Sequence, residues 1–466
     1  MSEQFVQRFV GSEQSEVQWC WKLWLIFTLF FSFCGLLLQL VVIPYGFPHL
    51  DAGHGLLAGG DWVGFQRLAV KMAARIQVDG WAAWQLRPGG QAPAGIAAAF
   101  YSVFGAKPYE LVPLYAATYA SDLVAVTAIY RYIGFGRFES LAGITPAVVF
   151  PSTLMMYGTL NKDAFFGAGC MMVLLGWVKL LGVLRAPKLQ FGTLFGIFVL
   201  FVIGTGLVWL VRPYGVPILE ASGVVVASVL LLAVALATRT MTWRDRSRAV
   251  GVGVIVCVAL LLGMHYVADI STSGVTSAEI SGPKVSGPKV SGPKFAASKI
   301  FGAISNVRGE FVENYPHAAS MIDVHVRFSD VWDVLRYVPR AVQIAFLAPF
   351  PDTWFEKGSA ASSQLMRRDA AFEMTLAYFV LIFGGLAVVK HGFTRRPEFW
   401  IVIFYCAVII GVYVLAVPNV GSLFRFRQPL YLCVLGLGVA ALVRELKSRG
   451  RRSGCFRQGR TRRGGP

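Results

Sequence analysis

Ten long apolar runs dominate this sequence, and they leave very few folds open to it. A helix that crosses a bilayer needs about 20 mostly apolar residues. Stretches that meet this test lie at 23–43, 110–131, 140–158, 164–184, 191–211, 215–238, 249–268, 372–389, 399–417 and 428–444. In hydrocarbon every backbone N–H and C=O must be satisfied by the chain itself, so runs of this kind become helices. The expected fold is all-α, a polytopic transmembrane bundle of about ten spans. Only 15% of the 466 residues are charged and 56% are hydrophobic, a balance that excludes a string of soluble domains. Two shorter apolar stretches, 92–104 and 341–350, are expected to be interfacial or re-entrant pieces, since neither reaches spanning length.

The charges give the runs a direction. The formal net charge is +18, and the basic residues gather in short segments between spans. These hold Arg131 and Arg137; Lys179, Arg185 and Lys188; Arg239, Arg244, Arg246 and Arg248; and Lys390, Arg395 and Arg396. Segments rich in Lys and Arg stay on the cytoplasmic side. Both termini then lie in the cytoplasm, and 44–109 and 269–369 lie outside. Such a chain is expected to be multi-pass in the inner (cytoplasmic) membrane. Treating 92–104 as a full span inverts every later loop, so it is expected not to cross. No basic stripe sits on a soluble domain, which excludes nucleic acid as a partner and leaves membrane lipids.

On this reading the chain divides into four parts. Residues 1–268 form a transmembrane module carrying the first outer loop, 44–109. Residues 269–371 form an outer segment, 372–446 the last transmembrane helices, and 447–466 a basic tail. The run 23–43 is too long for a signal-peptide core and is expected to remain as the first span. Of seven cysteines, Cys34, Cys170, Cys257, Cys406 and Cys433 fall inside spans, with no zinc-site or disulfide spacing. The only repeat, ISGPK-VSGPK-VSGPK at 280–294, has the composition of an extended linker.

The first outer loop holds the most chemistry. His49, Asp51 and His54 bracket a turn and are accessory candidates; a divalent metal there has no support from spacing alone. From Trp62 to Ile76 apolar residues recur at helical spacing, with Arg67, Lys71 and Arg75 on another face. Asp61 opens this helix, either as its cap or as a carboxylate free for chemistry. Asp122 and Glu220 lie within spans, where a carboxylate is costly and is expected to face the bundle interior.

Asp61, Phe65 and Ala69 resemble the Asp-x-x-x-Tyr pattern that opens the first outer loop of type C glycosyltransferases. These include the lipid A aminoarabinose transferases and the protein O-mannosyltransferases. The stretch 86–96, LRPGGQAPAGI, is similar to the loop that follows in those enzymes. The similarity continues through Asn161-Lys162-Asp163-Ala164-Phe165-Phe166 and ends at 417–429, VPNVGSLFRFRQP. Two departures are plain: Trp62 stands where a second acid is usual, and Phe65 replaces the tyrosine.

The resemblance implies transfer of a sugar from a polyprenyl-phosphate donor to a glycan, lipid or protein acceptor at the outer face. A nucleophilic acceptor must lose a proton as it attacks, which assigns Asp61 as base and Asp163 as a second acidic residue. The departing phosphate needs fixed positive charge, for which Arg425, Arg427 and Arg212 are the candidates, assisted by Lys162 and Arg87. The lipid-linked donor is the one cofactor-like molecule implied. Two other classes fit the same composition: an O-antigen-type polymerase or ligase, and a transporter or flippase. The transporter class predicts internal repeats and helices broken at the midplane, and the sequence shows no such symmetry.

Overall fold

The computed structural model describes residues 13–186, 191–237, 241–273, 297–314, 318–358 and 362–461. The SGPK repeat lies outside them. Among the described residues nine helices are long and apolar enough to cross a membrane. No strand occurs among them, only two isolated bridges. The chain is an all-α, multi-pass membrane protein.

The chain order is as follows. Helix α1 (Glu13–Leu37) widens into a π-helix over Leu38–Gly46. The first long connection carries α2 (Asp61–Asp79) and α3 (Ala92–Phe104), and α3 is too short to cross. Then come α4 (Val112–Ile133), three short helices α5 (Arg137–Gly143), α6 (Thr145–Val149) and α7 (Pro151–Tyr157), and α8 (Asp163–Arg185). Helices α9 (Phe191–Val211), α10 (Gly215–Ala235) and α11 (Trp243–Ser273) follow. The second long connection holds α12 (Ala297–Asn314) and α13 (Val331–Leu347). The chain returns through α14 (Ser363–Phe379), a π-turn, α15 (Gly385–Lys390), α16 (Pro397–Ala416) and α17 (Val420–Thr461). The two long connections share one end of the bundle, called the loop face below; the other end is the basic face.

The expected span 140–158 is a broken crossing instead of one helix. Pro146 and Pro151 supply no backbone N–H, so each starts a new helix and cannot extend the previous one. The segment still crosses. It leaves the basic face, where Arg396 and Arg444 donate to the carbonyls of Ile133 and Gly134, and it reaches Asp163 on the loop face.

Helix α8 is the centre of the molecule. In its spanning window 78% of residues are buried, against 17% for α11, which lies at the lipid-facing edge. Glycine sets the α8–α9 distance: a Cβ on Gly169 would meet the Gly204 carbonyl oxygen at 2.6 Å, and one on Gly204 would meet that of Gly169 at 2.7 Å. Close approach through small residues is how helices gain packing contact in lipid.

The second connection is bolted to the bundle by two buried arginines. Arg308 of α12 is fully buried and donates to the Leu415 carbonyl at the end of α16 (3.2 Å) and to that of Asp323 (2.7 Å). Arg427 of α17 donates to the carbonyls of Ile344, Ala345 and Ala348 at the end of α13. Both reach carbonyls in the last turns of helices, Leu415 and Ala345 among them, where the helix supplies few donors; the Ile344 carbonyl also accepts from the Ala348 N–H (3.4 Å). Between them Met321 bridges Asn419, with Ile322 N–H on the Pro418 carbonyl (3.0 Å) and Val420 N–H on that of Ser320 (2.8 Å). The apolar piece expected at 341–350 is the end of α13. That helix starts ten residues earlier because Asp330 caps it, accepting from the N–H groups of Trp332 and Asp333.

Candidate active site

Four helix ends meet at the loop face, and together they bring five charged side chains. Helix α2 brings Asp61, α8 brings Asp163 with Lys162 just before it, Arg212 directly follows the end of α9, and the first turns of α17 bring Arg425.

Asp61 is not the cap of its helix. The N-cap is Gly60, in an extended conformation and with no side-chain bond. Trp62 is buried and donates its indole N–H to the Leu57 carbonyl, which fixes the start of α2. The Asp61 carboxylate, 62% exposed, points instead to Arg425, whose Nη2 donates to it at 3.0 Å across 364 residues of sequence.

Asp163 is also relieved of capping. The Asn161 side chain accepts from the N–H groups of Asp163 (2.8 Å) and Ala164 (3.4 Å). The Asp163 carboxylate is then left to pair with Arg212 at 2.5 Å, both side chains being nearly fully buried. The Arg212 guanidinium lies between the rings of Phe166 (4.7 Å) and Phe426 (4.3 Å). Its Nε and Nη1 are buried with no hydrogen-bond partner among the described residues. A buried donor left unmade is costly, so two spare donors on one guanidinium suit an incoming anion.

Lys162 joins the two halves. Its ammonium sits over the Phe65 ring at 5.6 Å. Burial pulls its pKa down to about 8, and neighbouring Arg212 adds to the effect while Asp61 and Asp163 oppose it. Arg87 also presses on Lys162; it donates to the Trp209 carbonyl (3.1 Å) and stacks over the Trp209 ring. The arrangement holds one exposed carboxylate, one buried carboxylate and four cations where transmembrane helices end. Chemically it can take a proton at Asp61 and hold an anion on the basic side chains.

Of the residues singled out above, Asp61, Asp163, Lys162, Arg212, Arg425 and Arg87 are brought together. Arg427 is not among them, because it is spent on the end of α13. His49 and His54 are exposed, and Asp51 closes its own turn by accepting from the N–H groups of Gly53 (2.8 Å) and Gly55 (3.2 Å). Among the described residues no three His, Cys, Asp or Glu side chains are grouped to hold a metal ion. Asp122 faces the bundle interior as expected, buried beside a water-sized cavity lined by Tyr119, Ile144, Met156, Pro429 and Cys433. Glu220 instead meets His265 of α11 at 3.1 Å, towards the edge of the bundle. Sequence reasoning missed the aromatic clamp on Arg212. Its one trace was the alternation of Phe424, Arg425, Phe426 and Arg427.

No protein-family model, curated protein or solved structure matches this chain.

Proposed function

We propose that the chain is a type C integral-membrane glycosyltransferase. It would transfer a sugar from a polyprenyl-phosphate donor to an envelope glycan, lipid or protein at the outer face of the cytoplasmic membrane. The observation that carries this reading is the Asp61 carboxylate, which is free of capping, half open to solvent and held beside cations at the ends of spans.

In the proposed step an acceptor O–H or N–H attacks the anomeric carbon from the face opposite the phosphate, with inversion. Its proton passes to Asp61. The bond from the anomeric carbon to the phosphate oxygen breaks, and polyprenyl phosphate leaves with the electron pair. Its charge is met by Arg425, Lys162 and the spare donors of Arg212. When the donor phosphate binds, Arg425 exchanges Asp61 for phosphate, which releases the base. Asp163 stays with Arg212 and aims it. The donor's polyprenyl tail would lie in lipid at the height where these helices end.

The test is transfer of labelled sugar by membranes carrying the protein, supplied with polyprenyl-phosphate sugars of several kinds. Donor-dependent label in a larger glycan, lipid or protein product is expected, with a raised donor KM in Arg425→Ala. Absence of product with every donor overturns the reading. One observation favours a transporter instead: the broken crossing of α5–α7 beside Asp122, since unwound helices with a midplane carboxylate are a transporter feature. Label that crosses the membrane without a new covalent product would mark that class.

A further inference from the structure

Helix α2 carries a second feature besides the carboxylate at its start. Arg67, Lys71 and Arg75 are all exposed and stand four residues apart, so they form one stripe rising about 6 Å per step. None of the three belongs to an ion pair among the described residues. The acids of α2 stand only at its two ends, Asp61 and Asp79. The opposite face is buried, through Trp62, Gln66, Ala69, Ala73 and Ile76.

Beside the basic stripe the helix exposes apolar surface. Val70 is 40% and Val78 84% exposed, and the exposed Trp81 and Trp84 follow directly. The stretch is also fixed in height. Asp61 at its start is tied to Arg425 in the first turns of α17, and Arg87 just beyond it is tied to Trp209 at the end of α9. Both tethers are at the ends of transmembrane helices, the level of lipid headgroups.

We infer that α2 is a docking site for anionic phospholipid headgroups. Arg67, Lys71 and Arg75 hold the phosphates, while Val70, Val78 and the two tryptophans dip among the acyl chains. Cations next to exposed apolar side chains match a headgroup with its tails. A soluble polyanion would meet the cations and leave Val78 and Trp81 in water. The consequence for the site is positional: bound lipid holds the Asp61 end of α2 at headgroup height. This inference rests on the placement of the spans and does not depend on the glycosyl-transfer reading.

The test uses the full chain in vesicles of phosphatidylcholine and phosphatidylglycerol. Trace photoreactive headgroup probes of either lipid are added, and adducts are mapped by mass spectrometry. The peptide spanning 61–84 should take far more phosphatidylglycerol probe than phosphatidylcholine probe. Each basic residue near an anionic surface contributes about fivefold to binding, so Arg67→Gln/Lys71→Gln/Arg75→Gln should lower that adduct at least tenfold. Adducts on the basic face should stay unchanged, which also shows that the variant is folded. High salt should weaken the same adduct in the wild type, a readout independent of any variant. Equal labelling by the two probes, or a phosphatidylglycerol adduct that survives the triple substitution, overturns the inference. Tight binding of soluble polyphosphate by the detergent-solubilised protein, without lipid preference, also overturns it and assigns the stripe to a soluble partner.

Discussion

Asp61 and Asp163 are two carboxylates with opposite energetic standing. Asp61 pairs with Arg425 in partial contact with solvent, and pairs of that kind contribute at most about 1 kcal/mol. Asp61→Asn should therefore leave the Tm in detergent nearly unchanged. Asp163→Asn strands the buried Arg212 without its counter-charge and should cost about 3–5 kcal/mol, seen as a large drop in Tm. Lys162 gives a pH signature. Its pKa, pulled to about 8 by burial and then by Arg212, leaves it charged below that pH and neutral above it. The donor KM should rise as pH passes upward through about 8, and Lys162→Arg should flatten the profile. The linked stability has a definite sign. Between about 8 and 10.5 the unfolded chain holds the proton that the fold has lost, so stability should rise with pH there, and Lys162→Met should remove that rise. Most of this cluster was legible in the sequence as charged residues at span ends. Which cation meets which carboxylate was not, because the partners lie 49 and 364 residues apart.

Arg425 and Arg427 show what a helix adds to a motif. Two positions along a helix are turned by about 200°, so adjacent arginines of one Phe-Arg-Phe-Arg run face nearly opposite ways. One meets Asp61, and the other closes the end of α13. Arg427→Met should leave the Ala345 and Ala348 carbonyls without their donor at a cost of about 2–3 kcal/mol and speed proteolysis within 318–358, with the Asp61–Arg425 pair intact. The broken crossing shows the limit of a hydropathy window. Pro146 and Pro151 are visible in the sequence, but counting apolar residues does not register a missing N–H. Helix α13 escaped for the opposite reason: Asp333, Arg336 and Arg340 hide its apolar stripe of Val331, Leu335, Val338 and Val342.

For the molecule as a whole, span length and composition foretold the bundle, since the backbone in lipid has few alternatives to a helix. The direction of insertion rests on the basic segments and can be checked directly. Ala52→Cys on the loop face should react with an impermeant maleimide added from outside the membrane. Arg137→Cys on the basic face, in a chain with Cys20 and Cys455 replaced by serine, should react only after the membrane is opened. The reverse pattern would place Asp61 in the cytoplasm and remove an outer-face acceptor. The central claim is that the loop-face cluster moves a sugar with Asp61 as base. It is tested most directly by single-turnover transfer from a polyprenyl-phosphate sugar, comparing reconstituted wild type with Asp61→Asn at saturating donor. The expected result is product from the wild type and a rate lower by about 100-fold or more in the variant, with Tm unchanged. Wild-type rates from Asp61→Asn would contradict it.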